Sequence, residues 1–153
     1  MRIPRFRVVR GMTLIEIAFI LVIVAVLAVT GAVKIGESAA LRDLDAAASQ
    51  LRALLREAQA RAVAENRAWR VTFDTALDRA TLEVDAGGGS FTAQETVVLP
   101  RHARIDSTTF PSDRVDFDGS GGPSAGGQAL LSIARGGAKT VTVVAGTGIV
   151  KIQ

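Results

Sequence analysis

The sequence has 153 residues, of which 48% are apolar and 22% charged, so it has room for one modest domain and a further segment but not for two hydrophobic cores. It contains no cysteine, which excludes disulfides, thiolate metal sites and cysteine nucleophiles. The formal net charge is +3, but four of the eighteen basic residues lie among the first eleven, which contain no acid. The other residues include 14 basic and 15 acidic ones, so their net charge is −1. This charge gives no general argument for a nucleic-acid partner.

The N-terminal part combines a basic leader with an apolar segment. Residues 1–11 (MRIPRFRVVRG) end at Gly11, and residues 12–33 follow with Glu16 as their only charge. At ~1.5 Å per residue, a helix of that length measures about 33 Å and can cross a bilayer. Because arginines precede the segment, the positive-inside rule places the N-terminus in the cytoplasm and the C-terminal part outside. We therefore predict a leader at residues 1–11 and a transmembrane helix at residues 12–33.

A second helical pattern follows the apolar segment. Its apolar positions recur in alternating steps of three and four residues, which places them on one face of a helix. These positions are Leu41, Leu44, Ala48, Leu51, Leu55, Ala58 and Ala62. No proline or glycine interrupts the chain from Glu37 to Arg67. Residues 34–66 are thus predicted as an amphipathic continuation of the same helix, with two helices and a bend near Gly31–Gly36 as the alternative.

After Asn66 the apolar pattern changes to a period of two, which is typical of half-buried strands. Two strands are predicted at Trp69–Asp74 and Ala80–Asp85, and Gly87–Ser90 is predicted as a flexible turn. Further strand candidates are Glu95–Leu99, Val115–Phe117, Leu130–Ala134, Thr140–Val144 and Ile149–Ile152. The fold class is therefore α+β: a long N-terminal helix whose second half packs on a small, mostly antiparallel sheet formed by a head domain of residues 67–153.

The run from Arg10 to Glu16 carries the most specific signal. A basic leader, then Gly11, a hydrophobic residue, and Glu16 four residues later, ahead of the apolar span, resembles the class III signal of type IV prepilins and type II secretion pseudopilins. The resemblance implies that prepilin peptidase cuts between Gly11 and Met12, and that Met12 is N-methylated. It also implies that Glu16 meets the new α-amino group of Met12 on a neighbouring subunit during assembly. Met12 itself departs from the phenylalanine that is commoner at this position.

Simpler explanations of the N-terminus remain open. A carboxylate near the start of a membrane span is by default functional, but the helix dipole also favours Glu16 at this helix start. The segment could be an uncleaved signal anchor. It could also be a secretory signal peptide cleaved near Ala28–Ala32, although the apolar core is longer than such peptides use and contains an acid.

The C-terminal half resembles minor pseudopilins of the GspH/FimT type. The matching features are Trp69–Asp74, Val97–Pro100, Val115–Gly119 with its glycine-rich continuation, and the terminal Ile149–Ile152. The resemblance implies a structural subunit of a type II secretion pseudopilus, held in the bacterial inner membrane with its head domain in the periplasm. Its partners would be other pseudopilins in a hetero-oligomeric filament tip, prepilin peptidase and the inner-membrane assembly platform. The alternative is a minor type IV pilin that serves pilus assembly or DNA uptake, with a ligand-binding outer domain.

Two motifs in the head indicate chemistry only superficially. Asp118–Pro123 (DGSGGP) is close to the nucleophile motif of trypsin-like proteases, but its first two residues are transposed, and His102 is the single histidine available as a base. Asp116, Asp118, Ser120 and Gly121 match an EF-hand loop, yet its twelfth position is Gly127 instead of the bidentate glutamate. We therefore predict no enzyme, no cofactor and no metal site.

A nucleic-acid site is also disfavoured. It would need a basic patch on the exposed domain, for which the candidates are Arg101, Arg104 and Arg114. Asp106 and Asp113 lie among them along the chain and reduce the local positive charge.

Overall fold

The computed structural model describes residues 13–134 and 136–153, apart from the side chains of residues 28–37. Gly11 and Met12 lie outside the described residues, so the predicted cleavage and methylation sites have no structural counterpart here. One α-helix, α1, spans Leu14–Glu65 as a single element. The chain divides after Gly36 into two compact units, and the second comprises Glu37–Gln153.

The first turn of α1 follows Thr13. The backbone N–H groups of Glu16 and Ile17 donate hydrogen bonds to the Thr13 carbonyl, at 3.0 and 3.2 Å. Within residues 13–134 and 136–153, no helix combines the length and the apolar character that crossing a membrane requires. The predicted transmembrane segment, residues 12–33, also includes Met12 and the side chains of residues 28–33, which lie outside the described part.

The second half of α1 supplies one wall of the core. Six of the seven residues in the predicted stripe are buried, from Leu44 to Ala62. Leu41 is the exception, because its side chain remains 47% exposed. Ala40, Ala47 and Leu54 are buried as well, so the buried face is wider than a single line of residues.

Over the described residues, the head has eight strands in two four-stranded antiparallel sheets, which differs from the single small sheet expected. The first sheet has the order β3-β2-β1-β5 and the second β4-β6-β7-β8. The strands are β1 Trp69–Asp74, β2 Arg79–Gly87, β3 Ser90–Val98, β4 Ala103–Thr108, β5 Arg114–Phe117, β6 Gly127–Ile133, β7 Gly137–Val143 and β8 Val150–Ile152. The α+β class is confirmed, with α1 packed on antiparallel sheets through one shared core.

Two strands differ most from the predicted elements. β4 has no predicted counterpart, because its alternation is limited to buried Ala103 and Ile105 before an irregularity between Ile105 and Ser107. β3 starts at Ser90, five residues earlier than predicted, because Gly88 and Gly89 both take positive φ and form a tight hairpin turn. As an edge strand it is mostly exposed, so its sequence lacks the alternation that marks β1.

The connection between the two sheets is fixed by an aromatic pair. Phe110 precedes a short 3-10 helix, Pro111–Asp113, which leads from β4 into β5. Its ring stacks on Phe73 of β1, with 5.2 Å between ring centroids and 11° between planes. Both residues are buried, so this contact ties the crossover into the core.

Candidate functional site

The N-terminal part of α1 exposes a continuous apolar surface. Its eleven large hydrophobic side chains between Leu14 and Leu27 are each 44% to 87% exposed in the single chain. They are Leu14, Ile15, Ile17, Phe19, Ile20, Leu21, Val22, Ile23, Val24, Val26 and Leu27. A helix that is apolar on all sides is normally buried in protein or lipid, and soluble monomers rarely expose patches of this extent. This surface, the apolar segment of α1, is the clearest candidate for an interaction site.

Glu16 is the one charged residue in the apolar segment and lies in the first turn of α1. Its carboxylate is exposed, and a negative charge at this position interacts favourably with the helix dipole. Thr13 and Glu16 also have the spacing of a capping box, although the hydrogen bonds recorded at this end are between backbone atoms. Two roles for Glu16 are thus physically possible, one in the helix start and one toward a partner.

In the head, the glycine-rich loop after β5 packs against the C-terminal end of α1. Gln59 donates a hydrogen bond from Nε2 to the carbonyl oxygen of Gly121 at 2.8 Å. A Cβ on Gly121 would lie 2.9 Å from Val63 Cγ2, and one on Gly119 would lie 2.3 Å from Asn66 Oδ1. The glycines are therefore required by close approach to the helix. The role of Gln59 could not be predicted from the sequence, because a lone glutamine on a helix carries no specific signal.

The two carboxylates of the EF-hand-like motif are already engaged within the chain. Asp116 accepts two hydrogen bonds from Arg70, at 2.6 Å from Nε and 3.0 Å from Nη2. Asp118 Oδ1 accepts from Ser120 Oγ at 2.5 Å, Ser120 N at 2.8 Å and Gly122 N at 3.1 Å. These bonds hold the pKa of Asp118 below its usual value. The bond from the Ser120 hydroxyl contributes most, and the bond from the Gly122 amide is second. Over the described residues, no three histidine, aspartate or glutamate side chains converge on a possible metal position.

His102 has a structural partner. Its Nδ1 lies 2.6 Å from Asp43 Oδ2, and Lys139 of β7 forms an ion pair with Asp45. Both contacts connect α1 to the part of the head that carries the second sheet. The partner of His102 is therefore a helix carboxylate and not the Ser120 hydroxyl that a protease mechanism would use.

The arginines considered for nucleic-acid binding lie on different elements. Arg101 is in the turn before β4, Arg104 is in β4, and Arg114 begins β5, so they are divided between the two sheets. All three are exposed. No two of the three therefore share a strand.

Comparison with known families and structures gives a consistent result. The family described as type II transport protein GspH matches residues 47–148. The structure of the minor pseudopilin EpsH from the type 2 secretion system of Vibrio cholerae is 12% identical, with a TM-score of 0.62 over 72% of this chain and 96% of that one. The type IV minor pilin FimU of Pseudomonas aeruginosa is 15% identical, with a TM-score of 0.61 over 73% and 89%. No curated protein matches the sequence.

Proposed function

Because the chain belongs to the GspH family of type II transport proteins, we propose that it is a minor pseudopilin, a structural subunit of a type II secretion pseudopilus. The observation that carries the proposal is the apolar segment of α1, with its exposed side chains between Leu14 and Leu27. The head domain has its own core, so the exposed segment adds no stability to a monomer. A filament that buries the segment is stabilised by removing its apolar surface from water. The role is structural, and no catalysis is proposed.

In this proposal the N-terminal region acts in two stages. Prepilin peptidase removes residues 1–11 at the Gly11–Met12 bond, and Met12 is then N-methylated. Residues 12–33 first anchor the chain in the bacterial inner membrane, with the N-terminus cytoplasmic and the head periplasmic. The same apolar surface then packs against neighbouring pilin-like subunits on the inner-membrane assembly platform, because lipid and an apolar filament core are equivalent environments for it.

Glu16 sets the register in this assembly. Its carboxylate pairs with the α-amino group of Met12 on the neighbouring subunit as the subunit leaves the membrane. A charge that is buried away from water without its partner costs about 3–5 kcal/mol, so subunits that leave the pair unmade are disfavoured. The exposure of Glu16 and its position at the start of α1 are consistent with this role.

The test compares two substitutions of Glu16 in the full chain expressed with its secretion system. Glu16→Gln keeps a residue that suits the capping position but removes the charge, and Glu16→Ala removes both. We expect both variants to enter the membrane and fold, and both to be absent from isolated filaments. If Glu16→Gln assembles normally while Glu16→Ala does not, the residue acts only in the helix start, and the register role is wrong.

A second function is favoured by the likeness to FimU. A minor pilin of a type IV pilus would use the same apolar segment and the same Glu16, in pilus assembly or in DNA uptake. Deleting the chain distinguishes the two systems. Loss of exoprotein secretion with intact surface pili supports the pseudopilus, and loss of pili with normal secretion supports the pilus.

A further inference from the structure

The outward face of α1 in the head has a hollow of about 300 Å³, lined by Ser49, Arg52, Ala53 and Arg56. Residues three and four apart lie next to each other on a helix surface, so these four form one continuous patch. The small side chains of Ser49 and Ala53 leave the space that the two longer arginines border. We call this patch the arginine hollow.

The charges around the arginine hollow are unbalanced within the chain. Every acidic residue between Arg42 and Arg61 already has a basic partner: Asp43 with His102, Asp45 with Lys139, and Glu57 with Arg61. Arg52 and Arg56 form no ion pair with any residue that the structure describes. Two like charges four residues apart destabilise a helix, so the pair is unfavourable unless an anion joins it.

The Arg52 guanidinium gives a second, independent indication. Its Nε atom is shielded from solvent and has no hydrogen-bond acceptor among the described residues. A buried donor without an acceptor costs free energy, and folded proteins rarely leave one. Because Nε is covered by the chain itself, an acceptor from outside can reach it only when the Arg52 side chain turns toward the hollow, and such a turn would satisfy the donor.

We infer that the arginine hollow receives a carboxylate side chain from a neighbouring filament subunit. Guanidinium groups bind planar carboxylates through paired hydrogen bonds, and a hollow of about 300 Å³ has room for one carboxylate side chain. The near-zero charge of residues 12–153 also argues against a polyphosphate ligand. The inference rests on the proposed function, and it adds that the outward face of α1 within the head also forms a subunit contact.

The experiment places a photo-activated cross-linking residue at Ala53 in the full chain, expressed with its filament partners. We expect a cross-link to a filament subunit, mapped by mass spectrometry to a peptide that contains Asp or Glu. Arg52→Glu together with Arg56→Glu should reduce the yield by about tenfold or more, because attraction becomes repulsion. Arg104→Glu, the same change at an exposed arginine of β4, should leave the yield unchanged.

A charge exchange completes the test. Changing the mapped acid of the partner to Arg should restore the cross-link to the Arg52→Glu, Arg56→Glu chain. If the Arg52→Glu, Arg56→Glu chain loses protease resistance and is therefore misfolded, the neutral variant with Arg52→Gln and Arg56→Gln is used instead. Its cross-link yield should also fall. A cross-link that survives both pairs, or that maps to lipid, nucleic acid or a peptide without an acid, overturns the inference.

Failure of the proposed function has a different signature. In that case the unmodified chain is not recovered with any filament subunit, and both the proposed function and the inference are wrong. If the unmodified chain is recovered with filament subunits but the hollow gives no cross-link, only the inference is overturned.

Discussion

Gln59 of α1 holds the carbonyl oxygen of Gly121 at 2.8 Å from its Nε2 atom, across 62 positions of sequence. Gly148 approaches the same amide, since a Cβ on Gly148 would lie 2.4 Å from Gln59 Nε2. One helix side chain therefore meets two loops of the head, the glycine-rich loop after β5 and the turn before β8. A Cβ on Gly121 or Gly148 would have to displace a side chain of α1, which explains the glycine at each of these two positions.

Gly121→Ala should destabilise the head strongly. Gly121 has φ +80°, and its new Cβ would lie 2.9 Å from Val63 Cγ2. The left-handed backbone costs about 1–2 kcal/mol and the overpacking a further 1–3 kcal/mol, so we expect a loss of roughly 2–5 kcal/mol in the free energy of unfolding. The measurement is urea denaturation of the fragment Glu37–Gln153.

Gly88→Ala is the matched control for that substitution. Gly88 also has positive φ, at +67°, but a Cβ there meets nothing within 4 Å. Gly88→Ala should therefore lower the free energy of unfolding only by the cost of the left-handed backbone, about 1–2 kcal/mol. Equal losses for the two variants would show that the loop does not pack tightly against α1.

Leu55→Ala tests the wall that α1 contributes to the core. Leu55 is fully buried, and removing its isobutyl group leaves a cavity, so we expect a loss of about 2–5 kcal/mol. Leu41→Ala on the same helix, where the side chain is 47% exposed, should cost under about 1 kcal/mol. Similar losses at both positions in urea denaturation would contradict the burial described for α1.

The carboxylate of Asp118 should make the head sensitive to acid. Its pKa is lowered in the folded state, so the charged form contributes stability above the unfolded pKa of about 3.9, and this contribution is lost as pH falls through the folded value. Asp118→Asn should therefore be less stable than the parent at pH 7, with a smaller difference at pH 3. Thermal denaturation at both values measures this. An equal difference at the two pH values would show that the charge is not stabilised in the loop.

The parts of the fold that depend on local patterns could be predicted from the sequence. The bounds of β1 match because Trp69, Val71 and Phe73 are buried in strict alternation, and the stripe on α1 follows its helical period. The division into two sheets could not be predicted, because pairing such as β1 with β5 joins residues more than forty positions apart and leaves no local trace. Strand β4 could not be predicted either, because an irregularity between Ile105 and Ser107 interrupts its alternation.

Some residues of the candidate sites could likewise be predicted from the sequence, and others could not. The apolar segment and Glu16 stand out because a run without charge and a single acid within it are visible in the sequence itself. Gln59 and the arginine hollow depend on which side chains face each other after folding. Arg52 and Arg56 resemble an ordinary solvated helix face until the ion pairs of their acidic neighbours are known.

The mass of the full chain, extracted from its native membrane, tests the central claim most directly. We expect a polypeptide that begins at Met12, with the mass of residues 12–153 plus one methyl group, because processing ahead of the apolar segment leaves that segment for assembly. A chain that still carries residues 1–11, or one that has lost residues 12–33 as well, would contradict the account.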